Sequence, residues 1–162
     1  MILKNFLLVP ELSGGLDGRG LAMELMDGKI AALFADTEPV AEAAFDCGGR
    51  TLLPGFLDIH THLNGLGRDR DADVNVPMKV LVTAAELARH YLDYGFTTIR
   101  DCGGRRFETL AVRDYINKGK LIGPRMLCSG TPLKVVGGHE PGADYTGPWE
   151  ARARVREFLM HG

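Results

Sequence analysis

Leu53-Pro54-Gly55-Phe56-Leu57-Asp58-Ile59-His60-Thr61-His62 is the stretch on which the reading of this chain turns. It is an apolar run that changes to polar residues at its C-terminal end, with Asn64-Gly65 following as an exit loop. On a strand, residues two apart share a face, so Asp58, His60 and His62 are expected on one side and Ile59, Thr61 and Leu63 on the other. Two imidazoles at that spacing can approach one divalent ion, and zinc takes histidine nitrogen readily. Asp58, one step deeper, is placed as an outer acceptor that orients a ligand or the strand. A single strand histidine is ordinarily a hydrogen-bonded polar residue. The pair gains its meaning from its surroundings, because H-x-H alone is a short pattern.

Downstream of this run the chain repeats one rhythm. A loop rich in Asp, Arg and Gly spans 64–75, and Pro77 suits the first turn of a helix. Val80, Leu81, Ala84, Leu87, Ala88 and Tyr91 then recur at helical spacing, with Gly95 closing the segment. Phe96–Asp101 is β-branched and strand-like, Cys102-Gly103-Gly104 turns the chain, and a second helix is expected from about Arg105 to Lys118, capped by Gly119. Arg125–Ser129 reads as a third strand, 130–147 as a long Gly/Pro loop, and a third helix starts near Pro148, with Val155, Phe158 and Leu159 on one side. Strand, loop and helix three times over, with the long loops after the strands, is the pattern of a parallel α/β structure whose site lies at the C-terminal ends of its strands.

Upstream, residues 1–52 read as a small β-sheet segment. Ile2–Val9 is a strand followed by a Gly-rich loop. Leu21–Met26 and Lys29–Phe34 flank Asp27-Gly28, a two-residue hairpin signal, and Ala41–Phe45 leads through Asp46-Cys47-Gly48-Gly49 toward the histidine strand. The apolar run at the N-terminus breaks at Asn5 and stops at Pro10, shorter than a signal-peptide core of roughly 7–15 residues.

The stretch 53–63 resembles the P-G-x-x-D-x-H-x-H strand that opens the barrel in the metal-dependent amidohydrolase superfamily. The resemblance continues through Lys29–Leu33 with Asp46–Gly55, similar to the leading β-sandwich, and through Tyr94–Gly104, similar to the second barrel strand. Gly123-Pro124-Arg125-Met126, Ser129-Gly130 and Gly137-Gly138-His139 are similar to the third strand and loop of the imidazolonepropionase-like and Xaa-Pro-dipeptidase-like branch. The resemblance implies an α/β fold: a β-sandwich-type segment over 1–52, then about three βα units of a (β/α) barrel over 53–162, incomplete beside the eight strands of a full barrel. It implies a metal-dependent hydrolase of C–N bonds, acting on an amide, a cyclic amide or a dipeptide, with His60 and His62 on the more buried metal. His139 would face substrate, the alternative being a solvated loop histidine, and Asp101 would stand at the barrel mouth as an outer partner, unless it merely caps the Gly103-Gly104 turn. The family's later ligands, a lysine or glutamate, two histidines and a general-base aspartate, belong to strands four to eight, and Lys134 is not promoted to the first of those roles.

Two histidines are fewer than the about three protein ligands that hold a catalytic zinc. A weak, readily vacated site and little or no activity are therefore expected of these 162 residues alone. An open parallel sheet leaves edges and a face uncovered, so a homo-oligomer or a complementing chain is expected. The competing reading is a non-catalytic, truncated or degenerate relative that self-associates.

Composition agrees with a folded chain: 45% hydrophobic, 25% charged and a formal net charge of −2. No basic patch suggests nucleic acid, and no run approaches the roughly 18 apolar residues that span a bilayer. Cys47, Cys102 and Cys128, odd in number and without C-x-x-C spacing, read as thiols of a reducing cytoplasm. His90 is expected at a helix surface, His161 carries no signal, and Tyr145, Pro148 and Trp149 are expected to pack the start of the third helix.

Overall fold

The computed structural model describes residues 1–37, 44–63, 77–104, 107–138 and 143–162. They form two compact units, Met1–Pro54 and Gly55–Gly162. Among the described residues no helix is long and apolar enough to cross a membrane.

The first unit contains β1 (Ile2–Leu7), β2 (Leu21–Met26), β3 (Lys29–Ala35) and β4 (Ala44–Thr51). Asp27-Gly28 makes the β2–β3 turn with φ of +51° and +72°, the pair of positive angles that a tight hairpin demands. The sheet order is β3-β2-β1-β4, with β4 parallel to β1 and the other pairings antiparallel. Among the described residues this segment is one mixed sheet. Its buried side gathers Phe6, Leu21 and Met23, with Leu3, Leu8, Leu25, Leu33, Cys47 and Leu52 around them. A bulge interrupts β1 between Lys4 and Phe6, where Asn5 takes φ +55° and its amide donates to the Asp46 carboxylate.

The second unit is built on a three-stranded parallel sheet, β5 (Phe56–Thr61), β6 (Phe96–Asp101) and β7 (Arg125–Cys128), in that order. Helices α1 (Pro77–Asp93) and α2 (Glu108–Asn117) pack on it. Val80, Ala84 and Ala88, one α-helical turn apart, put the buried stripe of α1 toward the sheet. Leu63, Ala84, Ala88, Ile99, Val112 and Met126 form the core, each under a tenth exposed. Gly119 ends α2 at φ +67°, its N–H donating to Ile116 O at 2.9 Å.

The long loop expected over 130–147 contains two short strands, β8 (Leu133–Val135) and β9 (Ala143–Tyr145), paired in parallel. Three-residue strands leave too little periodicity to read beforehand. Lys134 lies on β8, ion-paired to Asp144 at 3.0 Å. Helix α3 (Pro148–His161) begins where expected and buries none of its residues. Trp149 is 78% exposed, with the Arg152 guanidinium 5.4 Å from its ring, so it does not pack the helix start as anticipated. His161 stacks on Phe107 with ring centres 4.1 Å apart, an arrangement without a sequence signal.

Candidate metal centre

Strand β5 delivers both histidines to the C-terminal edge of the parallel sheet, His60 within it and His62 one residue past it. The alternation anticipated for this strand fails in its second half. Asp58 pairs with Ile99 and Thr61 with Asp101, so three steps on β5 answer two on β6. The extra residue is a bulge. Past it Thr61 and Leu63 are buried, Leu63 in the core with Ala84 and Ala88 of α1, whereas Ile59 is 65% exposed. The Asp58 carboxylate fills the interrupted ladder by accepting from His60 N at 3.0 Å. Asp58 therefore holds the backbone of the histidine strand.

His60 and His62 are both exposed, and their ring centres lie 5.3 Å apart at 60°. Two imidazoles bound to one tetrahedral ion, each nitrogen about 2.0–2.1 Å from it, have centres roughly 5 Å apart. The pair thus already stands at the separation a shared ion requires. His62 Nδ1 lies 2.8 Å from the Gly103 carbonyl oxygen. A carbonyl only accepts, so Nδ1 carries a proton, and in the neutral ring the lone pair then lies on Nε2, the tautomer that ligates through Nε2. These features fit a divalent metal. Among the described residues no three His, Cys, Asp or Glu side chains cluster around one ion position.

The neighbouring strand end fixes this corner. Cys102 N donates to Thr61 O at 2.8 Å, and Arg100 Nε donates to Ile59 O at 2.6 Å. Gly103 adopts φ +102°, and a Cβ there would come within 2.6 Å of Gly130 O and 2.8 Å of Pro132 Cδ. Only glycine fits, and its carbonyl is thereby held toward His62. Asp101 is fully buried, accepting from Leu63 N at 3.0 Å and from Thr109 Oγ1 at 2.7 Å. Its side chain caps neither glycine of the turn that follows it. Nearby, burial and then the Asp101 charge push the Cys128 thiol up to about 12.

Of the remaining sequence candidates, His139 lies outside the described residues. His90 stands on α1 with its side chain 44% exposed, 4.0 Å from Glu86. The Gly103 carbonyl was missed by sequence reasoning. A glycine pair reads as a turn, and nothing in the letters shows where its oxygen points.

No family model matches the chain. An uncharacterised protein of Mycobacterium tuberculosis, Rv2915c, is 36% identical over 106 residues, covering 65% of this chain and 25% of that protein. The dihydroorotase of the same organism is 38% identical over 60 residues, covering 35% of this chain and 14% of the relative. Among solved structures, a Bifidobacterium longum protein assigned as a prolidase superposes with a TM-score of 0.81 at 28% identity, covering 100% of this chain and 38% of its own. An amidohydrolase structure superposes with a TM-score of 0.75 at 26% identity, covering 99% of this chain and 44% of its own. The chain spans about a quarter of the length of the curated relative Rv2915c and about two-fifths of these structures. Across its whole fold and over the dihydroorotase segment, the chain is similar to part of amidohydrolase-type proteins.

Proposed function

We propose that His60 and His62 are two ligands of a divalent metal, zinc by preference, in a hydrolase of C–N bonds that acts on an amide, a cyclic amide or a dipeptide. The observation that carries this reading is the bond between His62 Nδ1 and the Gly103 carbonyl, which in the neutral ring leaves the lone pair on Nε2, with the His60 ring centre 5.3 Å from that of His62. A divalent ion held there would supply Lewis acidity and lower the pKa of water. The residues of this chain bind and orient: His60 and His62 offer imidazole nitrogen, Gly103 fixes the His62 tautomer, and Asp58 holds the strand. No residue of this chain is given the general-base role. The remaining ligands belong to further βα units of a (β/α) barrel, joined to this chain or brought by a companion. The share of each relative that the chain spans supports that division. His139 retains a substrate-facing role on the resemblance alone, and the three free thiols favour a cytoplasmic setting.

Cobalt or zinc titration of the chain by calorimetry tests the reading. Weak one-site binding that falls by at least about tenfold in His60→Ala and in His62→Ala is expected. Equal binding by all three proteins overturns it. Ordinary turnover of dipeptides by this chain with zinc, cobalt or manganese overturns the division of the site.

A second reading rests on the uncovered sheet face. Leu57, Ile59 and Leu127 are 66%, 65% and 49% exposed on β5 and β7. Association of copies of this chain through that face is the alternative way to cover it.

A further inference from the structure

Asp101 is the one fully buried carboxylate among the described residues, and nothing in the proposed chemistry uses it. Burying such a group is costly unless its oxygens are satisfied. Both are: Oδ1 accepts from the backbone of Leu63, and Oδ2 accepts from the hydroxyl of Thr109 on α2. Leu63 is the residue after His62. The carbonyl that accepts from His62 belongs to Gly103, two residues after Asp101. The side chain therefore ties the chain just past the histidine to the strand end that carries the histidine's partner, and anchors both to a helix. Between them, Cys102 N donates to Thr61 O, and Ser129 N donates to Asp101 O at 3.0 Å from the far side.

We propose that Asp101 is a positioning residue for His62: by clamping Leu63 N and Thr109 Oγ1 it holds the Gly103 carbonyl against His62 Nδ1, so that the ring presents Nε2 as its ligand atom. The role rests on the reading of His62 as a ligand, and it extends that reading to how the ligand is prepared. An unconstrained neutral histidine populates both tautomers, whereas one held by a carbonyl at Nδ1 populates one. Outer partners of ligand histidines typically set metal affinity by about 10–100-fold.

The test uses the metal-free full chain, with nitrogen-15 NMR of the His62 ring as its first measurement and zinc titration as its second. The wild-type ring is expected in the single Nδ1–H form. Asp101→Ala is expected to mix the two tautomers and weaken zinc binding by about 10–100-fold. Asp101→Asn keeps an oxygen for Leu63 N and an amide that can donate to Thr109 Oγ1, and it is expected to restore both measurements. Thr109→Val removes one anchor and leaves the carboxylate, so it is expected to show a smaller change and serves if the alanine variant does not fold. A single Nδ1–H form with wild-type affinity in the alanine variant, or in Thr109→Val where the former is unfolded, overturns the proposal. The tautomer answers independently of metal: if the wild type binds no zinc but Asp101→Ala still mixes the tautomers, the ligand reading fails while the clamp stands.

Discussion

At the scale of single residues, the site depends on a backbone oxygen more than on any side chain beyond the two histidines. Gly103 supplies that oxygen at φ +102°, with Gly130 O, Pro132 Cδ and Ser129 Oγ crowding the place where a Cβ would go. Gly103→Ala is therefore expected to cost about 1–3 kcal/mol in backbone strain, with the steric clash adding to it. It is also expected to turn the carbonyl away from His62. Chemical denaturation checks the first effect and zinc titration the second; a stable variant with unchanged affinity would show that the carbonyl is dispensable. The two histidines were legible as a pair because spacing on a strand is a local property, whereas the bond from the His60 backbone to Asp58 was not. The ready tautomer was not, because the residue that imposes it lies 41 positions away.

At the scale of elements, the hairpin at Asp27-Gly28 and strands β2 and β6 formed as their patterns required, since two-residue turns and β-branched runs carry their own instructions. Strand β5 departed from simple alternation because a bulge depends on what the neighbouring strand offers, and no single strand encodes that. Helix α3 shows a local device of another kind. Glu150 in its first turn accepts from both the backbone N–H and the hydroxyl of Thr146, each at 2.6 Å. Those two bonds, the hydroxyl first, hold the Glu150 carboxyl below its ordinary value of 4.5. A depressed carboxylate stabilises the folded form above its unfolded pKa, and the effect is lost as pH falls through the folded value. The protection of amides at the start of α3, measured against their intrinsic exchange rates, is thus expected to fall on acidification below pH 4.5, and Glu150→Gln is expected to flatten that dependence. An unchanged pH profile in the glutamine variant would remove Glu150 as the cause.

At the scale of the molecule, the two units have separate cores, one on Phe6, Leu21 and Met23 and one on Leu63, Ile99, Val112 and Met126. The helices α1 and α2 cover the β5-β6-β7 sheet on the side where Ile99 and Met126 are buried, while Leu57, Ile59 and Leu127 stand exposed. If copies of this chain cover that face for one another, sedimentation velocity over a concentration series is expected to show association that weakens in Leu57→Glu. Leu57 is 66% exposed, so the charge enters without disturbing the core. A monomer across the series would leave further βα units as the cover.

The sequence by itself determined the repeated strand–helix order, the sharp turns, the amphipathic face of α1 and the pairing of His60 with His62. These follow from local periodicity and from residue chemistry within a few positions. Only the tertiary structure decided which carbonyl readies His62, why Asp101 is buried, and that Thr61 and Leu63 turn inward past a bulge while Ile59 does not. Each of those joins residues about 40 positions apart, through hydrogen bonds between neighbouring strands and onto a helix. Such bonds leave no periodic trace in the chain, since their geometry exists only once the strands have paired.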